Sequence, residues 1–242
     1  MLKKLFILLT ILIPILSNSQ SHRNFEKDRC GTSLITDIIK KKYPEYKKQR
    51  EKVNNQTRNW LSNNSTQLKS IVTIPVVVHI VYATNQQNIS DQQINTQIDV
   101  LNEDYRRTNI DAINTPSVWN SLSADCEIEF CLANTDPNGA FTTGITRTQT
   151  SQSSFSIQND GMKSSSTGGI DPWPQDDYLN IWVCNLSGGI LGYATPPTSF
   201  NNPDDGVVIG YRYFGTIGTA QSPYNKGRTA THEVGHWLNL DH

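Results

Sequence analysis

Neither sign of charge is in surplus in this chain. Its 21 lysines and arginines face 22 aspartates and glutamates, for a formal net charge of −1. That balance supplies no bulk field to draw in nucleic acid or an anionic membrane. A basic stripe with interleaved aromatics, the usual footprint of a nucleic-acid surface, is also missing. No internal repeat is present. Apolar runs are scarce: apart from Leu5 to Leu16 no long hydrophobic stretch occurs, and that one is too short to anchor a chain in a bilayer.

The short run has the anatomy of a targeting segment. Lys3 and Lys4 precede it, and the small and polar residues Ser17-Asn18-Ser19-Gln20 follow. A basic start, an apolar middle and a small-residue end make a secretory signal, cut after Ser19. Residues 1–19 are therefore expected to be a signal peptide. The mature chain is expected outside the cell, with no membrane partner once the signal is removed. No cysteine follows the cut, which disfavours a lipoprotein. The 242 residues suffice for one good-sized domain and a smaller segment.

Cysteine is sparing as well. Cys30, Cys126, Cys131 and Cys184 would meet an oxidising compartment, and four cysteines allow three pairings. Cys126 and Cys131 are about 16 Å apart if the stretch between them is extended, too far for a mutual disulfide. Cys131 and Cys184 each fall within a strand pattern. They either pair or stay as buried thiols.

Residues 20–70 are polar and basic, with no strong core pattern. The run Asn63-Asn64-Ser65-Thr66 reads as a linker. The segment is expected to lie outside the main core, as a removable propeptide would. From Ile71 the character changes. Ile71 to Tyr82 is β-branched and nearly continuous, the mark of a buried strand, and His79 within it reads as a core histidine. Ser90 and Gln93 form a capping box before Ile94, Ile98, Leu101 and Tyr105, which recur at helical spacing. Strand then helix begins a βαβ unit. Further strands are expected over 127–133, 144–148, 178–186 and 205–214. Residues 149–176, rich in Ser, Gly, Asp and Pro, read as a long surface loop. Calcium is conceivable there, although no spaced carboxylates mark a site. Leu191, Gly192, Tyr193 and Ala194, flanked by Gly and Pro, fit an exposed edge strand. Such an edge either receives an extended peptide through backbone hydrogen bonds or is simply protected.

The last eleven residues, His232-Glu233-Val234-Gly235-His236-Trp237-Leu238-Asn239-Leu240-Asp241-His242, hold three of the five histidines. Residues four apart share a helix face, so His232 and His236 can point at one metal ion. Glu233 stands where a carboxylate can reach a metal-activated water without ligating the metal. On a continuous helix His242 would lie about 9 Å beyond His236 along the axis. To share the ion, the helix must break and the chain must turn back. Asn239 is the expected pivot, because Asn tolerates the left-handed conformation better than any residue but Gly.

These residues resemble the metzincin motif His-Glu-x-x-His-x-x-Gly-x-x-His, with Asn239 in place of its glycine. The resemblance extends through Ile74-Pro75-Val76-Val77-Val78-His79, Asn88-Ile89-Ser90, Leu101 to Arg107, Tyr178 to Trp182 and Gly227 to Leu238. Over roughly residues 70–242 the chain is similar to the pappalysin family, in particular its bacterial cytophagalysin and ulilysin branch. This implies an α/β (α+β) fold: a twisted mixed sheet with a backing helix and an active-site helix, residues 71–242 forming the N-terminal part of the catalytic domain. It implies a zinc endopeptidase made as a latent precursor and acting on protein or peptide substrates. Zinc falls to His232, His236 and His242, and the general base is Glu233. Cys30, within Arg29-Cys30-Gly31-Thr32, resembles a cysteine switch; its alternatives are a disulfide partner or a lone thiol. Calcium is implied at family level without identified ligands. Family members continue past the third histidine into a subdomain bearing a methionine turn. Here the only methionines are Met1 and Met162, so the chain is expected to be a fragment. The competing expectation is a secreted zinc-binding or interaction module that does not cleave.

Overall fold

The computed structural model describes residues 29–63, 70–198 and 202–242. The expected signal peptide and positions 64–66 of the expected linker lie outside the described residues. The chain forms α1 (Thr32–Lys42), α2 (Tyr46–Asn63), β1 (Val72–Tyr82), α3 (Asp91–Tyr105), β2 (Ile128–Leu132), β3 (Ile145–Gln149), β4 (Leu179–Cys184), β5 (Gly192–Thr195), β6 (Gly206–Gly210) and α4 (Arg228–Trp237). One sheet runs β2-β1-β4-β6-β5, and β3 continues beside β2 along the same flank of β1. Every pairing is parallel except β5 with β6. The expected βαβ unit is β1-α3-β2.

β1 explains the layering. Val76, Val78 and Ile80 face one side and join Ile94, Leu101, Leu179, Ile181, Ile209 and Val234 in a core under α3 and α4. Val81 faces the other side, with Trp182, Cys184, Tyr193 and Val208. Parallel strands covered on both faces read as unbroken apolar runs, which is the pattern of β1, β4 and β6. Ser90 caps α3 as expected, accepting a hydrogen bond from the Gln93 amide at 3.2 Å.

The second core corrects two expectations. Ile35 and Ile39, each 1% exposed, and Tyr46 belong to it, so part of the polar segment is core rather than appendage. Their spacing of four puts the isoleucines on one face of α1, a signal masked by the lysines around them. The supposed surface loop over 149–176 also packs inward, through Phe155, Ile157 and Met162. Its apolar residues follow no period, because the segment runs through short 3-10 turns instead of regular structure. The last strand is shorter than expected, ending at Gly210 before a 3-10 turn at Tyr211–Tyr213.

All four cysteines are free; Cys131 is exposed and Cys184 buried. Cys131 sits opposite Pro75 of β1, while Cys184 lies beyond the Ile80–Val183 pair on the other flank of β1. That is two strands across and several residues along, roughly 20 Å, well past disulfide reach. Of the two alternatives for Cys184, it is the buried thiol that occurs, and burial pushes its pKa up.

His79 is a core residue, as expected. Asn180 Oδ1 accepts from the Trp173 amide at 2.8 Å, which identifies that atom as the oxygen. His79 Nε2–H therefore donates to it at 3.0 Å, and His79 Nδ1 accepts from the Thr146 hydroxyl at 2.7 Å. The imidazole is neutral and fully buried, and burial lowers its pKa to about 4. In the unfolded chain a histidine takes up its proton near pH 6.5. Between about 6.5 and 4 the unfolded state thus binds more protons, and stability falls as pH falls. The expected loss across that window is up to about 3 kcal/mol. Urea unfolding at pH 7 and pH 4.5 checks it. The His79→Gln variant should lose less stability over the same interval, and an equal loss in both proteins would refute the assignment.

Candidate metal centre

α4 is fixed first at its N-terminal end. Gln97 Nε2 donates to the Gly227 carbonyl at 3.0 Å, and the Tyr105 hydroxyl donates to the Thr231 carbonyl at 3.1 Å. Asp104 Oδ2 accepts from the Thr231 hydroxyl at 2.7 Å and pairs with Arg228 Nε at 2.9 Å. Gly227 has φ +70°, and a Cβ there would lie 3.0 Å from Val100 Cγ1, so α4 can start this close to α3 only with glycine. The burial of Ala230 and Val234 on the sheet sets the rotation of the helix. His232 and His236 thereby project from one side, with Glu233 between them and only 1% exposed.

The C-terminal end makes the turn back. Asn239 adopts φ +78°, the left-handed conformation expected of it. The Leu240 amide donates to the Gly235 carbonyl at 2.9 Å, and the Asn239 amide to the His236 carbonyl at 3.0 Å. This pair of bonds is a Schellman motif. It aims the Leu240 carbonyl at His236, whose Nδ1–H donates to it at 2.7 Å. The bond fixes the tautomer and leaves the His236 Nε2 lone pair pointing at the other two rings. The turn also returns His242. His236 Nε2 lies 3.0 Å from His232 Nε2 and 3.2 Å from His242 Nε2. Nitrogens bound tetrahedrally to one zinc at its usual bond length sit about 3.3 Å apart, so the trio fits such an ion.

A fourth donor completes the set. Cys30 Sγ joins the three histidines, and all four ligand atoms lie within 4.8 Å of one another. Cys30 belongs to an extended stretch that pairs in parallel with β5 through a bridge to Gly192. The Gly31 amide donates to the Gly192 carbonyl at 2.8 Å, and the Leu191 amide to the Arg29 carbonyl at 2.8 Å. Burial, and then the charge of Glu233, push the thiol up to about 12. A bound cation reverses that balance, since a coordinating thiol is deprotonated outright.

The edge strand needs correction. β5 is at the sheet edge and antiparallel to its neighbour, but Gly192–Thr195 are all buried, not exposed. The stretch 29–32 and α1 cover the edge, a burial no local pattern could reveal. Gly192 also makes room for Glu233: a Cβ there would lie 3.1 Å from Glu233 Cγ. Two further contacts come from α2. Arg50 donates to the Pro197 carbonyl at 2.8 Å, and Asn239 Nδ2 donates to Asn54 Oδ1 at 3.1 Å. Sequence reasoning assigned no role to Thr32, Asp104, Arg228 or the Leu240 carbonyl. The first three are ordinary polar residues whose partners lie over 100 residues away.

Helix, left-handed turn and returning histidine beneath a mixed sheet with an antiparallel edge strand are the architecture of a metzincin-type domain. No family model matches the chain. Among solved structures it is similar to Tannerella forsythia mature mirolysin in complex with a cleaved peptide. That match has 57% identity and a TM-score of 0.70, covering 72% of this chain and 66% of that one. A point mutant of Tannerella forsythia promirolysin matches at 49% identity and a TM-score of 0.76, covering 88% of this chain and 69% of the other. The extracellular metalloprotease of Pyricularia oryzae is 30% identical over 186 residues, covering 72% of this chain. The chain belongs to the pappalysin-like metzincins of the ulilysin type, the family of mirolysin. It spans about half the length of the curated relatives it matches (52% of the Pyricularia oryzae protein).

Proposed function

We propose that the chain carries the zinc site of a secreted endopeptidase made as a latent precursor. The observation that carries this reading is the convergence of three imidazole nitrogens beside a buried glutamate. His232, His236 and His242 would hold zinc. Zinc held there supplies Lewis acidity and lowers the pKa of a water toward about 7. Glu233, beside the first ligand and against Gly192, takes a proton from the water as its oxygen bonds to the scissile carbonyl carbon. The same carboxyl then hands the proton to the amine nitrogen as the C–N bond breaks. β5 would align the substrate backbone through the groups that now bind residues 29–32. The mirolysin complex with a cleaved peptide supports peptide substrates. For calcium the family resemblance is the sole ground.

Residues 20–70 would be the removable prosegment, with residues 71–242 belonging to the catalytic domain. The precursor of mirolysin matches 88% of this chain and its mature form 72%, a difference that supports the division. Cys30 would be the latency switch, its thiolate occupying the coordination position needed by water. Secretion is supported by residues 1–19 and by relatives named as extracellular. No helix among the described residues is long and apolar enough to cross a membrane.

The full-length protein should carry about one zinc per chain. With its first 70 residues removed it should cleave a casein-type substrate, stop when chelated, and resume when zinc is restored. Cleavage that survives chelation overturns the reading. So does a zinc-loaded, processed protein that cleaves nothing.

A further inference from the structure

We infer that Thr32 is a second latch on this site beside the thiol, its hydroxyl holding Glu233 and the edge strand at once. The inference rests on Glu233 being the general base. Thr32 is the first residue of α1 and 6% exposed. Its Oγ1 accepts from the Ala194 amide at 2.9 Å and donates to Glu233 Oε2 at 2.9 Å. A hydroxyl has one hydrogen. Because the Ala194 N–H occupies a lone pair, that hydrogen is directed onto the carboxylate. The bond is charge-assisted, the stronger kind. It engages the oxygen that would otherwise receive the proton of water. Cys30 Sγ stands 3.5 Å from the same Oε2, so two side chains of one short segment converge on it.

The two contacts overlap at Glu233 and differ in what else they hold. Cys30 lies among the histidine nitrogens and reaches the base from that side; Thr32 alone joins the base to the strand. They are also held by different means. Thr32 is placed by α1, whose Ile35 and Ile39, one and two turns on, share a core with Tyr193 and Val208. Gly31 makes the close approach possible: a Cβ there would lie 2.6 Å from Ile157 Cδ1 and 3.1 Å from Tyr193 Cβ. The packing of α1 does not depend on the state of the sulfur. Loss of the thiol ligand alone therefore leaves Glu233 covered and the Ala194 amide occupied. Full release requires α1 itself to leave.

The test uses the zinc-loaded, full-length precursor, with residues 20–70 verified as intact by mass during initial-rate measurements. Wild type, Cys30→Ala, Thr32→Val, Thr32→Ser and the Cys30→Ala variants combined with each Thr32 change are compared with the processed enzyme. Cys30→Ala alone should remain well below the processed rate. Adding Thr32→Val, which keeps the shape and removes the hydroxyl, should raise it by about 10- to 100-fold, the worth of a hydrogen bond to a charged group. Adding Thr32→Ser should not. Melting temperature and zinc content should match across the set, so that a loosened α1 is not mistaken for a released base. The latch is refuted if Cys30→Ala already reaches the processed rate, or if valine and serine behave alike. The processed Glu233→Gln variant separates the two levels. If it is inactive while Thr32→Val has no effect, only the latch fails; if it cleaves normally, the role of Glu233 fails and the latch with it.

Discussion

Glu233→Gln in the processed, zinc-loaded protein should lower kcat on the order of 1,000-fold while KM and zinc content stay near their original values. The amide has nearly the shape of the carboxylate, so the side chain should keep its place beside Gly192 and its burial. What the proposed mechanism would lose is the ability to take a proton from water and return it to the leaving amine. Zinc should remain, because the ligand atoms that converge belong to the histidines and Cys30, with Glu233 outside the set. Steady-state kinetics together with metal analysis read both outcomes. Turnover like that of the unaltered enzyme would remove the carboxylate from the mechanism; loss of zinc would instead make it a structural support.

Asn239→Val should weaken zinc binding by about 10- to 100-fold, the scale seen when a ligand loses its supporting partner. Asn239 sits at φ +78°, where a β-branched residue pays roughly 1–2 kcal/mol or more. Relieving that strain would undo the bonds from Leu240 to Gly235 and from Asn239 to His236. Two of the proposed ligands would suffer together: His236 would lose the Leu240 carbonyl that orients it, and His242 the turn that brings it back. Asn239→Gly should bind zinc much as the parent does, since glycine takes this conformation without strain. Competition against a chelator of known affinity measures the difference. Equal affinities for the valine and glycine variants would show that the turn does not govern the site.

The two variants also mark how much could be read before any fold was known. The spacing of His232 and His236, the place of Glu233 and the left-handed turn at Asn239 follow from helix period and local sterics. The capping of α3 by Ser90 is equally local, as is the buried character of β1 and β4. Each involves residues within one or two turns of one another, or the solvent preference of a single run. Ile35 and Ile39 carried a helical signal too, but lysines at 40, 41 and 42 made the stretch look like a solvated appendage. Residues 149–176 offered no period to read, so the inward packing of Phe155, Ile157 and Met162 had no signature.

The convergence of the three imidazoles was therefore legible from the last eleven residues alone, because a helix repeats every 3.6 residues and a short turn obeys its own sterics. What covers the convergence point was decided only by the folded chain. Cys30 and Thr32 reach Glu233 across 203 and 201 residues, and the cover over β5 comes from a segment that precedes it by some 160 positions. Such contacts depend on how the sheet is ordered and which face α1 packs against. Those choices are made by the whole core at once and leave no mark in any single stretch of residues.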